Sequence, residues 1–167
     1  DIERLKRSLG LDRSLPVQYL AWLRGFVVGD WGFSFADGRP VTVRLAERIP
    51  ATLELILASL VLAFVAALPI GVLAAARQRS LFDRTVTTLT LAGISLPTFW
   101  FGLLLQLLFA VSLGWLPSSG RSSILGGDLL DRLRHIILPA TVLATVHAAV
   151  WTRYLRSGML AVLAQRF

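Results

Sequence analysis

Cysteine is absent from the 167 residues, so no disulfide framework staples the fold and no thiolate holds a metal. Lysine is almost absent. Its one occurrence, Lys6, has no glycine before it, whereas a Walker A phosphate loop needs a glycine-rich turn leading into lysine and a hydroxyl. ATP hydrolysis of that kind is therefore not expected of this chain by itself. The two histidines, His135 and His147, are too far apart for a His-Glu-x-x-His pair, so a catalytic zinc is unsupported. No Gly-x-Ser-x-Gly occurs, and Ser95 has no base near it in sequence. These gaps leave no catalytic, cofactor-binding or metal-binding residue to nominate.

Charge is scarce as well, at 16% against 55% hydrophobic residues, with a mean hydropathy of +0.68. A soluble domain carries roughly 25% charged residues, and here long blocks hold none: Thr85–Gly120 contains no charge of either sign. That distribution is the signature of a membrane protein. The formal charge of +7 comes almost wholly from arginine. The arginines lie between apolar blocks, where bilayer surfaces would be, and form no run or stripe that would read as a nucleic-acid face. The first residue is Asp1 and no secretory leader precedes the body, which suggests either processing or a piece of a longer protein.

Residues 1–50 are mixed in character. Ile2, Leu5 and Leu9 follow helical spacing up to Gly10. Ser14 can cap a second helix that starts at Pro16, carries Val17, Leu20, Leu23 and Val27, and stops at Gly29. Trp22, Phe26 and Trp31 are suited to a membrane surface. Gly29–Pro40 reads as a turn-rich connector, and Val41–Pro50 as a short amphipathic helix ended by its proline.

Three apolar blocks follow. Leu55–Ala76 is about 33 Å long as a helix, enough to cross the hydrocarbon core. Glu54 stands at its entrance as an interfacial capping carboxylate, and Arg77–Arg84 makes a tight polar loop after it. The second block, from Thr85 to Leu113, is longer than a bilayer needs, and Pro97 permits a kink or tilt. Ser95 and Thr98 are near enough to pair the carbonyl that the proline releases. Gly114–Gly120 ends this span with Trp115 and turn formers. The third block, Ile136–Thr152, is short and holds Pro139 and His147, with Arg132 and Arg134 able to snorkel at its start. The fold class expected is all-α, a multi-pass membrane helical bundle with about three spans. The arginines nearest the spans split six against six, Arg77, Arg79, Arg84, Arg153, Arg156 and Arg166 against Arg39, Arg44, Arg48, Arg121, Arg132 and Arg134, so charge does not choose an orientation; only the density of Arg77, Arg79 and Arg84 favours the cytoplasm for that loop.

Polar groups at membrane depth are candidates for function. His147 and Gln106 are two such groups, each with the plainer alternative of a hydrogen bond that holds neighbouring helices together. Pro97 is either a packing kink or the bend of a helix that lines a pathway.

The connector GDWGFSF, the entry RLAERIPATLEL and the stretch LPIGVLAAARQRSLFDR resemble the permease subunits of bacterial dipeptide, oligopeptide and nickel ABC importers. So do ISLPTFWFGLLLQLLFAVSLGWLPSSG and LPATVLATVHAAVWTRYLRSGMLAVLAQRF, in the same order over almost the whole chain. The resemblance implies a fragment of a bacterial inner-membrane protein, with a span before Asp1 and further spans after Phe167. It also implies an alanine–glycine coupling loop that begins where this sequence stops. Residues 1–50 and 114–134 would then lie outside the cell, and 77–84 and 153–167 inside. Arg153, Arg156, Met159, Leu160, Leu163, Gln165 and Arg166 would be the lead-in to that coupling region. Ser95, Pro97, Thr98, Gln106 and His147 would belong to the translocation pathway. The implied partners are a second homologous permease, two ATP-binding subunits that hold ATP and Mg, and an extracytoplasmic solute-binding protein, all at a lipid bilayer. The cargo would be a peptide or a related small solute such as nickel. Two rivals need no importer: a non-transporting anchor or assembly subunit, and an intramembrane enzyme, for which His147 is the only candidate group.

Overall fold

The computed structural model describes residue 3, residues 12–123 and residues 127–165. The expected first helix, Ile2 to Gly10, lies outside them apart from Glu3, as do Lys6 and Arg166. The described residues form helices α1 (Leu15–Val27), α2 (Val41–Ala76), α3 (Leu81–Ser95) and α4 (Thr98–Leu105), a π-helical segment Gln106–Ser112, and α5 (Leu129–Ala164). Among them the only β pairing is an isolated bridge between Phe33 and Pro40. Two helices, α2 and α5, are long and apolar enough to cross a membrane, and α3 with α4 and its π-helical end make a third span if the bent pair counts as one.

Residues 1–50 form one compact unit and residues 51–167 another. In the first, α1 begins after Ser14 with its proline in the first turn, where the missing N–H costs nothing. Tyr19, tilted against Trp22, leads into a stack of Trp22, Phe26 and Trp31, with successive ring centroids 5.9, 5.5 and 5.1 Å apart. Trp31 Nε1 donates to the Phe26 carbonyl at 3.0 Å. The connector closes on itself through Ser34 N to Arg39 O at 2.9 Å and Val41 N to Gly32 O at 3.0 Å. No residue from 12 to 50 is buried.

Pro50 does not end a helix, contrary to the sequence expectation: α2 runs across it to Ala76. An internal proline deletes one backbone bond. The residues after it, Ala51-Thr-Leu-Glu-Leu55, resume helix at once; alanine, leucine and glutamate are strong helix formers and carry the helix past the one lost bond. Glu54 is accordingly a mid-helix residue and not a cap.

The second unit packs through small side chains. Ser59, Ala63, Ala67, Gly71, Ala74 and Ala75 are the buried face of α2, and Ala140, Ala144, Ala149 and Thr152 that of α5. A Cβ added to Gly71 would stand 2.9 Å from Leu155 Cβ and 3.1 Å from the Thr152 carbonyl. α3 and α4 meet α5 in the same way, with Gly93 against Ala149 and Thr145 and Gly102 against Val142. No large side chain is fully buried among the described residues. Lipid is as apolar as leucine, so burying leucine gains little in a membrane. Close backbone approach gains dispersion and puts small residues at the seams.

The second block is broken and not merely kinked. Its two halves meet at 103°. Leu96 is extended, with ψ of 128°, because proline's Cδ drives the residue before it out of the helical region, and Pro97, with ψ of 123°, is the extended residue from which α4 starts. The third block is far longer than the sequence suggested. Asp128 caps α5 by accepting from Asp131 N at 2.8 Å, and the helix takes in Leu129–Arg134, expected as loop, and runs on through Arg153 to Ala164. Charge alone does not stop a helix whose arginines can reach water. Likewise Ser80 caps α3 four residues before the expected start, accepting from Asp83 N at 3.2 Å.

A neutral cavity and a buried ion pair at opposite ends of the bundle

At the α4 end, a cavity of about 650 Å³ is lined by Leu55 of α2, Thr98 to Gln106 of α4 and its π-helical end, Pro117–Gly120, and His135 to Leu143 of α5. It sits beside the break in the second block, so the sharp turn after Leu96 places Thr98 in its wall. Gln106 Nε2 donates to the Ser118 carbonyl at 2.7 Å. The amide thus holds a loop and does not join two helices as the sequence reading allowed. Arg121 donates to Glu54 Oε2 from Nε at 3.2 Å and Nη2 at 2.7 Å, tying the same loop to α2. The walls themselves carry no carboxylate, lysine or arginine; their polar groups are Thr98, Gln106, Ser118, Ser119 and His135.

Of the five pathway candidates, Thr98 and Gln106 line this cavity. Pro97 sets the turn next to it, and Ser95 Oγ donates to the Leu91 carbonyl at 2.9 Å, reinforcing the last turn of α3. His147 lies elsewhere: it is exposed on α5, tilted against Trp151 of the same helix with centroids 5.9 Å apart. His135, which the sequence reading considered only as a zinc ligand, is the histidine in the cavity wall.

At the other end, Asp83 of α3 and Arg156 of α5 form a two-pronged ion pair, Nε to Oδ1 at 2.5 Å and Nη2 to Oδ2 at 2.8 Å. The Asp83 side chain is 5% exposed and that of Arg156 28%. Asp83 Oδ2 also accepts from Arg79 N at 2.9 Å. Arg79 has a φ of 64°, a left-handed conformation that costs a non-glycine residue about 1 kcal/mol. One carboxylate therefore holds the α2–α3 turn, the start of α3 and the far part of α5. Sequence reasoning named Arg156 but passed over Asp83; the Ser80-x-x-Asp83 spacing marked it as a helix-start residue, while its partner was far away along the chain.

The remaining lead-in residues fall on the last turns of α5. Met159 and Leu163 line an apolar groove of about 680 Å³ with Phe64 and Ala67 of α2. Arg153 is exposed beside Arg156 in a smaller cleft of about 510 Å³, Leu160 is half-buried, and Gln165 follows the helix end.

Comparison with known proteins agrees with this architecture. Residues 67–167 match the family described as the binding-protein-dependent transport system inner membrane component. The chain is 43% identical, over its whole length and 54% of the relative's, to the oligopeptide transport system permease protein AppB of Bacillus subtilis. It is 42% identical, over 95% of its length and 53% of the relative's, to the di/tripeptide transport system permease protein DppB of Pseudomonas aeruginosa. The chain thus spans about half the length of the curated relatives it matches. With a small-residue helical bundle, spans long enough for a bilayer and a match over more than half its residues, this chain belongs to the family of binding-protein-dependent transport system inner membrane components.

Proposed function

We propose that the chain is part of a permease subunit that forms a path across the membrane for short peptides, within an importer driven by ATP. The observation that carries this reading is the 103° break in the second block, which opens a neutral cavity lined by Thr98 and Gln106 in an otherwise apolar bundle. Irregular backbone is tolerated at membrane depth where it lines a cavity, and broken spans are how transporters build solute sites. Relatives named for oligopeptide and di/tripeptide transport supply the cargo class.

In this reading ATP and Mg are held by two separate ATP-binding subunits, a second homologous permease completes the path, and an extracytoplasmic binding protein delivers the solute. The cavity end faces outward. The Asp83–Arg156 end faces the cytoplasm, and the turns from Arg153 to Gln165 lead toward the ATP-binding subunits. The ion pair lets a push on those turns reach α3, and through the Pro97 break reach the cavity wall.

The test is uptake of a labelled tripeptide by proteoliposomes that hold the complete transporter, with its binding protein outside and ATP supplied to the ATP-binding subunits. ATP-dependent accumulation that vanishes when the full-length subunit is omitted is the expected result. Accumulation that survives the omission overturns the path and leaves an anchoring role. Accumulation of nickel without any peptide uptake moves the cargo to a metal ion.

A further inference from the structure

We infer that His135 is a substrate contact, its Nε2 accepting a hydrogen bond from a backbone N–H of a peptide in the cavity; this deepens the permease reading above and rests on it. The ring is held from behind. Its Nδ1 lies 2.8 Å from the Asp131 carbonyl and 3.6 Å from Asp131 Oδ1. A carbonyl oxygen only accepts, so in the neutral ring Nδ1 carries the hydrogen and Nε2 is left with its lone pair. Asp131 is fixed in turn, its carboxylate accepting from Ser123 N at 2.7 Å and Ser123 Oγ at 2.6 Å.

The front of the ring is open. The His135 side chain is only 8% exposed, and among the described residues no fully enclosed side-chain nitrogen or oxygen lacks a partner. Nε2 has no protein partner, so what remains of its surface opens onto the cavity that the ring lines. Gly120 flanks that opening: a Cβ there would come 3.9 Å from Nε2, and the bare glycine keeps the approach wide.

The chemistry around it selects a class of ligand. Gln106 spends its Nε2–H on Ser118 and keeps its Oε1 as a second acceptor in the same wall. Pro139, also in the wall, has no N–H to give the His135 carbonyl one turn before it. The site thus offers two acceptors with no hydrogen of their own, His135 Nε2 and Gln106 Oε1, beside the hydroxyls of Thr98, Ser118 and Ser119, which can donate or accept, and apolar surface from Phe99, Leu138 and Val142, with no carboxylate, lysine or arginine in the wall. Of the nearby charged groups, Glu54 is paired with Arg121 and Asp131 accepts from Ser123, while Arg132 and Arg134 of α5 are exposed and do not line the cavity. An amide N–H between side chains of any kind matches such a wall. A metal ion would meet one imidazole and no second ligand of comparable strength. Binding the backbone instead of side chains suits a path that must pass many sequences and release each of them.

The experiment compares uptake of a tripeptide with uptake of its backbone N-methylated analogue by the assembled full-length transporter, for wild type, His135→Asn and His135→Gln. Asparagine can keep the bond to the Asp131 carbonyl but does not reach the cavity; glutamine reaches the position of Nε2. Any preference set by the binding protein cancels, because it is common to all three. The wild type should favour the unmethylated peptide by about fivefold more than His135→Asn does, the size of one neutral hydrogen bond, and His135→Gln should recover part of that. Unchanged preference in His135→Asn overturns the contact, whether or not total uptake falls. Failure of the wild type to take up any peptide overturns the permease reading instead. A measurement on the wild type alone guards against a variant that does not assemble: diethyl pyrocarbonate modification of His135, mapped by mass spectrometry, should slow several-fold when peptide is present. No slowing refutes the contact.

Discussion

Replacing Asp83 by asparagine removes a charge and leaves the shape. In the native bundle its carboxylate accepts from Arg156 Nε, Arg156 Nη2 and Arg79 N. Asparagine has one oxygen for these three donors, and its amide would confront the guanidinium donor to donor. Breaking a buried pair by removing one partner costs about 3–5 kcal/mol. Arg156 is more than a quarter exposed while Asp83 is almost enclosed, so the orphaned guanidinium can turn toward water and the orphaned carboxylate cannot. Asp83→Asn should therefore cost about 2 kcal/mol and Arg156→Gln about 3 kcal/mol. The double variant should cost less than the sum, with a coupling energy of about 2 kcal/mol. Equilibrium unfolding of the full-length protein from mixed micelles by dodecyl sulfate, followed by helical circular dichroism, measures all three. A coupling below about 0.5 kcal/mol, the additivity error for independent sites, would refute the pair as a tie between α3 and α5. A larger loss for Asp83→Asn than for Arg156→Gln would refute the exposure argument.

Four further outcomes follow from the packing and the break. Gly71→Val should destabilise the bundle by about 1–3 kcal/mol through overpacking, since even its Cβ falls 2.9 Å from Leu155 Cβ. Gly158→Ala, where an added Cβ meets nothing within 4 Å, should be neutral or stabilising by up to about 1 kcal/mol; the same unfolding assay checks both. Gln106→Leu should free the Ser118 loop at a cost of about 1 kcal/mol, read as faster amide hydrogen exchange over 114–123. Pro97→Ala should restore helix across the break and reduce uptake severalfold in the reconstituted transporter; unchanged uptake would leave Pro97 a packing role only.

Much of this was legible in the chain. The apolar blocks set the class, and the resemblance reached the family that the comparisons support. Helix α1 starts and stops where Ser14, Pro16 and Gly29 said it should. Other boundaries were missed for a common reason. Pro50 reads as a stop and Leu129–Arg134 as loop because proline and clustered charge are taken as helix breakers, whereas the composition of Arg153–Phe167 is helical and the helix does run on to Ala164. One lost bond does not end a helix whose flanks are strong helix formers, and an arginine reaches the surface along its own stem. The small-residue seam was visible as Ser59, Ala63, Ala67 and Gly71 at every fourth position. It was overlooked among the leucines.

The site divides the same way. Thr98 and Gln106 were within reach of sequence because they are polar groups in an uncharged run beside a proline. His147 drew attention for its depth, yet it lies on an exposed face. His135 stands at the very start of the expected third span, and only the six residues of α5 before it, with the packing of that helix, carry it into a cavity wall. The sequence by itself determined the helices, their membrane surroundings and the place of the break, because hydrophobic length and the proline ring act on residues close along the chain. Only the tertiary structure decided that Asp83 meets Arg156, that Gln106 holds Ser118 and that the imidazole in the cavity is His135. Those pairings depend on which faces of the helices meet.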